Sequence, residues 1–173
     1  MKELYEGLEE DEKEYYNKLW MVTGRREAPI HPMVYEHPFR KEKDGSLGET
    51  TMLFHCGQSF VQGFYKDENR DGNGGVVDVN TENLIPAAAI QQKLTQSIES
   101  KLDKIGLRMK WQKGDFMIND NLGLAHYASQ RTQSEAKNVG LRVLHRTTIA
   151  GGSETVPRKG DGRQSFTVQH SYY

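Results

Sequence analysis

Two arginines in one segment of the sequence have the spacing of an anion-binding face. The segment LRVLHRTTIA, residues 141–150, is typical of a strand. Because the side chains of a strand point alternately to its two sides, Arg142 and Arg146 share one face, about 13 Å apart, and His145 lies on the other. A buried arginine requires an anion, and its guanidinium suits carboxylates and sulfonates. If this face lines a cavity, the pattern predicts two anion-binding positions. The alternative is a solvated strand face.

A second pattern, DENRDGNGGVVD at residues 67–78, has the spacing of a calcium-binding loop. Oxygen ligands at alternate positions, with a glycine at the sharp turn, are what this cation requires. However, Gly74 stands where an apolar residue is expected, and the last ligand is an aspartate instead of a glutamate. The alternative is a solvent-exposed insertion. The candidate calcium ligands are Asp67, Asn69, Asp71, Asn73 and Asp78.

The composition narrows the class of protein. The chain of 173 residues suits one domain, and its 23 Lys and Arg against 24 Asp and Glu give no excess of charge that would favour nucleic acid. The acidic N-terminus lacks the apolar stretch of a secretory signal, and no apolar run is long enough to span a membrane. Cys56 is the only cysteine, so a reducing compartment is expected. We therefore expect an intracellular protein, cytoplasmic by default, with no membrane insertion.

Two helices are predicted around these candidate sites. Residues 4–20 carry apolar side chains at close to helical spacing among acidic residues and lysines. A second helix is predicted from Pro86, which suits a helix start, to Gly106, which suits a stop. Its apolar stripe consists of Ile90, Leu94, Ile98, Leu102 and Ile105.

Short strands are predicted elsewhere in the chain. PMVYEHP and TMLFH, separated by the polar loop RKEKDGSLGET, predict a hairpin, and RMKWQ, DFMIND, LRVLHRTTIA and QSFTVQ predict further strands. Many short strands with two helices indicate a mainly β protein with helical cover, of the α+β class, built as a barrel or sandwich.

Several motifs occur together in an order that is typical of one family. WQKGDFMINDNLGLAHYAS is followed by GLRVLHRTTIAGG, and HPMVYEHP lies upstream of both. The chain thereby resembles the TauD/TfdA dioxygenases, which depend on Fe(II) and 2-oxoglutarate, from about residue 28 to residue 152. The matching positions are Trp111, Gly114, Asp115, Asp120, Asn121, His126, Arg142, His145, Arg146 and Thr148.

The resemblance implies a fold and roles for three residues. It implies a double-stranded β-helix, or jelly roll, in a single domain over 1–173, with a helical lead-in at 1–27, the barrel portion at 28–152 and an extension at 153–173. His126 matches an iron ligand of the family, and Arg142 matches the arginine that pairs with a carboxylate of 2-oxoglutarate. Arg146 matches a position that holds the anionic group of the substrate or of 2-oxoglutarate.

The resemblance also leaves the iron site incomplete. The iron site of such enzymes needs two histidines and one carboxylate. The family takes the first histidine and the carboxylate from a His-x-Asp or His-x-Glu motif, and none of the six histidines begins that pattern. We therefore expect a jelly roll that is incomplete at its N-terminus. His55, in His-Cys-Gly, is a candidate substitute, as in related halogenases where chloride replaces the carboxylate. The alternative is a packed, structural His55.

Three functions stay open at this point. The first is a dioxygenase that hydroxylates a small substrate, anionic if Arg146 binds it, with the missing ligands in a longer product or a partner chain. The second is a degenerate, non-catalytic subunit with a structural or interaction role in a larger assembly. The third is a calcium-binding module built on residues 67–78. Because an incomplete β-helix leaves strand edges unpaired, we expect a homo- or hetero-oligomer or the remainder of a longer chain.

Overall fold

The computed structural model describes residues 1–23, 30–53, 61–67, 83–126 and 155–166. These residues form three helices and six strands. The helices are α1 (Lys2–Glu6), α2 (Glu10–Asn17) and α3 (Ala87–Ile105). The strands are β1 (Leu19–Thr23), β2 (His31–Pro32), β3 (Val34–Lys41), β4 (Leu47–Met52), β5 (Val61–Lys66) and β6 (Ile85–Pro86).

The strands form two antiparallel sheets. One sheet has four strands in the order β2-β1-β5-β6, and the other pairs β3 with β4. This arrangement confirms the α+β class predicted from the sequence. The jelly roll and the division of the chain into three portions stay predictions.

The helix α3 confirms the predicted amphipathic helix. It begins after Pro86 and ends at Gly106, whose N–H donates to the carbonyl of Leu102 at 2.8 Å. The side chains of Ile90, Leu94 and Ile98 are buried, whereas the opposite face is exposed. Spacing of three and four residues between apolar positions places them on one helical face, and burying that face stabilises the helix.

The predicted helix over residues 4–20 is wrong in its C-terminal part. Helical structure ends at Asn17, and Leu19 and Trp20 belong to β1. The strand β1 lies between β2 and β5, and four of its five residues are buried. A strand that is covered on both faces shows a continuous apolar run, which local spacing does not distinguish from a buried helix turn.

The predicted hairpin is confirmed as β3 and β4, with a second strand that begins four residues earlier than expected and ends at Met52. Gly45, at φ +89°, lies in the connecting turn, and Leu47, Glu49 and Thr50 pair with β3 although the sequence predicts a loop there. By contrast, the strands predicted at 108–112 and 115–120 are wrong, since residues 106–126 contain neither helix nor strand. LRVLHRTTIA lies outside the described residues. In QSFTVQ, Gln164 and Phe166 form single bridges to Pro157 and Ile30.

The main core lies between the helices and both sheets. Leu4 of α1, Leu19 of β1, Val34 of β3 and Leu94 of α3 are all buried in one apolar cluster. A smaller cluster forms around Trp20, where Phe166 packs with its ring centroid 5.2 Å away. No helix within the described ranges is long and apolar enough to cross a membrane.

Candidate functional site

The residues that precede His126 form a tight turn, which we call the Asp120 turn (residues 120–124). The carboxylate oxygen Oδ1 of Asp120 accepts the N–H of Leu122 at 2.9 Å, and the carbonyl of Asp120 accepts the N–H of Leu124 at 3.1 Å. Aspartate favours such turns because its side chain bonds to backbone two residues ahead. The turn therefore has a defined shape of its own.

The Asp120 turn is attached to β3 by three side chains. The ring of His37 donates from Nε2 to Oδ2 of Asp120 at 2.9 Å, and Arg40 donates from Nε to the same oxygen at 3.0 Å. The hydroxyl of Tyr35 donates to the carbonyl of Leu122. A side-chain carboxylate and a backbone carbonyl of the turn are thus both bonded to one strand.

The hydrogen-bond network assigns the tautomer of His37. Its Nδ1 atom accepts the backbone N–H groups of Phe39 and Arg40, each at 3.1 Å. Since Nδ1 is an acceptor, the ring proton lies on Nε2, which donates it to Asp120. His37 is 3% exposed. Both nitrogens are therefore engaged inside the protein and neither is available to a metal.

The same contacts determine the charge state of the turn. Burial on its own would raise the pKa of Asp120, but the N–H groups of Leu122 and Gly123, with His37 and Arg40, bring that pKa below its ordinary value. Burial, together with the neighbouring Asp120, raises the pKa of Tyr35 far above its usual range. Asp120 is therefore an acceptor, and Tyr35 stays a donor at neutral pH.

The side chain of Arg40 packs closely against Gly123. A Cβ atom at residue 123 would lie 2.6 Å from Cζ of Arg40 and 2.9 Å from Oδ2 of Asp120. A side chain at residue 123 would therefore require the guanidinium group of Arg40 to move.

His126 follows this turn by two residues, and its side chain is exposed. The residues before the turn are also exposed, with Leu107, Phe116 and Ile118 more than four-fifths accessible. Within the described ranges, no three His, Cys, Asp or Glu side chains lie together in a way that could hold a metal ion. His126 is thus the one predicted iron ligand that the structure describes.

The structure does not describe the other predicted anion and iron ligands. Arg142, Arg146 and His55 lie outside the described residues, so their roles stay predictions. The same holds for four calcium candidates, Asn69, Asp71, Asn73 and Asp78.

Asp67, the remaining calcium candidate, has cationic partners. It is buried just after β5, where its Oδ2 atom accepts from Nη1 of Arg158 at 3.0 Å and from Nη2 of Arg163. Asp161 also pairs with Arg163, at 2.9 Å from Nε. Calcium binding at this residue would have to compete with two guanidinium groups, and it stays a prediction.

Trp20 completes this cluster. The guanidinium carbons of Arg158 and Arg163 lie 5.8 Å and 5.4 Å from its ring centroid. Cations at such distances over an indole face are attracted by its quadrupole. The cluster fastens residues 155–166 to the end of β5 and to β1.

Sequence reasoning missed both of these networks. The His-Pro motif contained His37, and the family motif contained Asp120, but nothing in their spacing pairs residues that are 83 positions apart. Asp67 is separated from Arg158 by 91 positions. The available signal was chemical, since a histidine in an apolar strand requires a polar partner.

Comparison with known families gives a match. The family model described as "Taurine catabolism dioxygenase TauD, TfdA family" matches residues 1–148, starting earlier than the motifs predict. No curated protein and no solved structure matches the chain. Because the family match covers most of the sequence and includes the Asp120 turn and His126, the chain belongs to the TauD/TfdA family.

Proposed function

We propose that this chain serves as an Fe(II)- and 2-oxoglutarate-dependent dioxygenase that hydroxylates a small substrate, an anionic one if Arg146 binds it. The observation that carries the proposal is the family match over residues 1–148, which includes His126, Arg142 and Arg146. Proteins of this family generally use Fe(II) and 2-oxoglutarate. The exposed imidazole of His126, next to a turn that is bonded to β3, supports the proposal further.

Three side chains of this chain would bind the metal, the cosubstrate and the anionic group. His126 would bind iron through its imidazole, a ligand type that suits this metal. Arg142 would pair with a carboxylate of 2-oxoglutarate, since its guanidinium is a two-pronged donor. Arg146 would hold an anionic group of the substrate or of 2-oxoglutarate. When bound, the metal and the cosubstrate supply the oxidising chemistry of the family.

The described residues alone do not complete an iron site. They contribute His126, and no group of three His, Cys, Asp or Glu side chains that could hold a metal ion occurs in the described part of the chain. The remaining ligands would come from His55 or from another chain in a homo- or hetero-oligomer. Light scattering of the purified protein would report its oligomeric state directly.

The test is an anaerobic Fe(II) titration in the presence of 2-oxoglutarate, followed through the visible metal-to-ligand charge-transfer band. We expect a band in the wild type that is lost in His126→Ala and kept in His31→Ala, the matched control. His31 lies in the upstream His-Pro motif, away from the Asp120 turn, and its Nδ1 atom is hydrogen-bonded with the hydroxyl of Ser165. A chain that is folded by circular dichroism and gives no band would refute iron binding by this polypeptide alone. A dioxygenase completed by a partner chain and a non-catalytic subunit would then be the remaining family functions.

Two further variants test the proposed roles of Arg142 and His55. Arg142→Gln should weaken 2-oxoglutarate binding by about tenfold or more, the loss expected for a charged hydrogen-bonded pair, with little effect on Fe(II) alone. His55→Ala should abolish the band only if His55 is an iron ligand. If the band survives, the missing ligand must come from elsewhere.

A further inference from the structure

His37 lies at an irregular point of β3. The pairing of β3 with β4 shifts register between His37 and Lys41. At this point the N–H groups of Phe39 and Arg40 bond to Nδ1 of His37. Such irregularities redirect side chains and are frequent beside functional sites. The imidazole is therefore held in place by the backbone of its own strand, independently of its contact with the Asp120 turn.

From this fixed position the ring reaches the Asp120 turn. His37 holds the carboxylate of Asp120, and Tyr35, on the same strand, holds the carbonyl of Leu122. The backbone N–H of Leu124 donates a hydrogen bond to the carbonyl of Asp120. Two residues of chain reach about 7 Å at most, so the backbone of His126 stays close to the fixed turn.

We propose that His37 is a positioning residue for His126, acting through Asp120 and the turn. This inference rests on the proposed function, in which His126 binds iron. A metal ligand that is held in place loses less conformational freedom on binding than one on a loose segment, and supporting residues commonly change metal affinity by about 10–100-fold. His37 itself touches neither metal nor substrate.

Two readouts test this inference, and the first needs no metal. In metal-free protein, hydrogen exchange of the Leu122 and Leu124 amides should be faster in His37→Leu by about tenfold, the effect of losing one hydrogen bond. His37→Gln retains a donor and an acceptor and should restore part of the protection. His31→Leu is the matched control and should leave these amides unchanged.

The second readout is Fe(II) affinity with 2-oxoglutarate. We expect His37→Leu to weaken it by about 10–100-fold and His37→Gln to weaken it less. If His37→Leu does not fold, Asp120→Asn perturbs the same contact from the turn and should give both effects.

The outcomes separate the two proposals. Unchanged amide exchange in the folded His37 and Asp120 variants would overturn the inference whatever the metal does. Iron binding that is as tight in these variants as in the wild type would overturn it while leaving the proposed function intact. A wild type that binds no iron, with exchange accelerated in the variants, would overturn the proposed function and reduce His37 to a structural residue.

Discussion

The Nε2 atom of His37 lies 2.9 Å from Oδ2 of Asp120 and joins β3 to the turn that precedes His126. Arg40 donates to the same oxygen, so one carboxylate receives two side-chain donors. Hydrogen bonds to an ionised acceptor are stronger than those between neutral groups. The negative charge on Asp120 therefore strengthens the contact between the Asp120 turn and β3.

This charge predicts a pH dependence. Asp120 has a pKa below its unfolded value, so it stabilises the fold above the unfolded pKa, and this contribution is lost as the pH falls through the folded pKa. We expect the stability difference between the wild type and Asp120→Asn to be largest at neutral pH and to shrink below about pH 4. Urea unfolding of both proteins across this range measures it. A difference that is the same at acidic and neutral pH would contradict the electrostatic origin.

The close approach of Gly123 to Arg40 predicts a cost for any side chain there. In Gly123→Ala the new Cβ would collide with the guanidinium and displace it from Asp120, with a loss of about 1 kcal/mol in the free energy of unfolding. In an Arg40→Ala background the same substitution should cost less, because the nearer of the two colliding groups is gone. Equal costs in the two backgrounds would show that Arg40 is not responsible.

The cluster at Asp67 predicts a large loss of stability. Asp67→Asn would leave the buried guanidinium of Arg158 without its closest counter-charge, at a cost of about 3 kcal/mol. Asp161 is more exposed and lies 3.6 Å from Arg158, so Asp161→Asn should cost less. Thermal unfolding in the presence of a chelator measures both variants.

Thermal unfolding with added calcium in place of the chelator tests whether residues 67–78 bind calcium. If calcium raises the unfolding temperature of the wild type and Asp71→Ala abolishes that rise, the calcium interpretation of residues 67–78 gains direct support. If calcium has no effect while Asp67→Asn is strongly destabilising, Asp67 acts through its arginines.

The buried face of α3 predicts that substitutions at two nearby positions of the helix have different costs in stability. Leu94 is 1% exposed, and Leu94→Ala should cost about 2–5 kcal/mol through lost burial and a residual cavity. Gln96 is exposed on the same helix, so Gln96→Ala should change stability by less than about 0.5 kcal/mol. Urea unfolding distinguishes them. Similar costs at both positions would argue against the observed orientation of the helix.

Local signals in the sequence were sufficient to predict the elements whose structure depends on residues close together in the chain. The helix α3 is determined by its apolar stripe and by Pro86 and Gly106 at its ends, and the β3–β4 hairpin by two apolar segments around a polar turn. The family was also readable from the sequence, because its motif residues occur in order around Asp120 and His126.

The tertiary structure decided what depends on distant partners. Leu19 and Trp20 lie in a strand because β2 and β5 are available on either side of it, which their own spacing cannot reveal. The contacts of His37 with Asp120 and of Asp67 with Arg158 join residues more than 80 positions apart. A sequence pattern records the preference of a residue for a strand, a turn or a charge, but the partner that satisfies a buried polar group is chosen only when the chain packs.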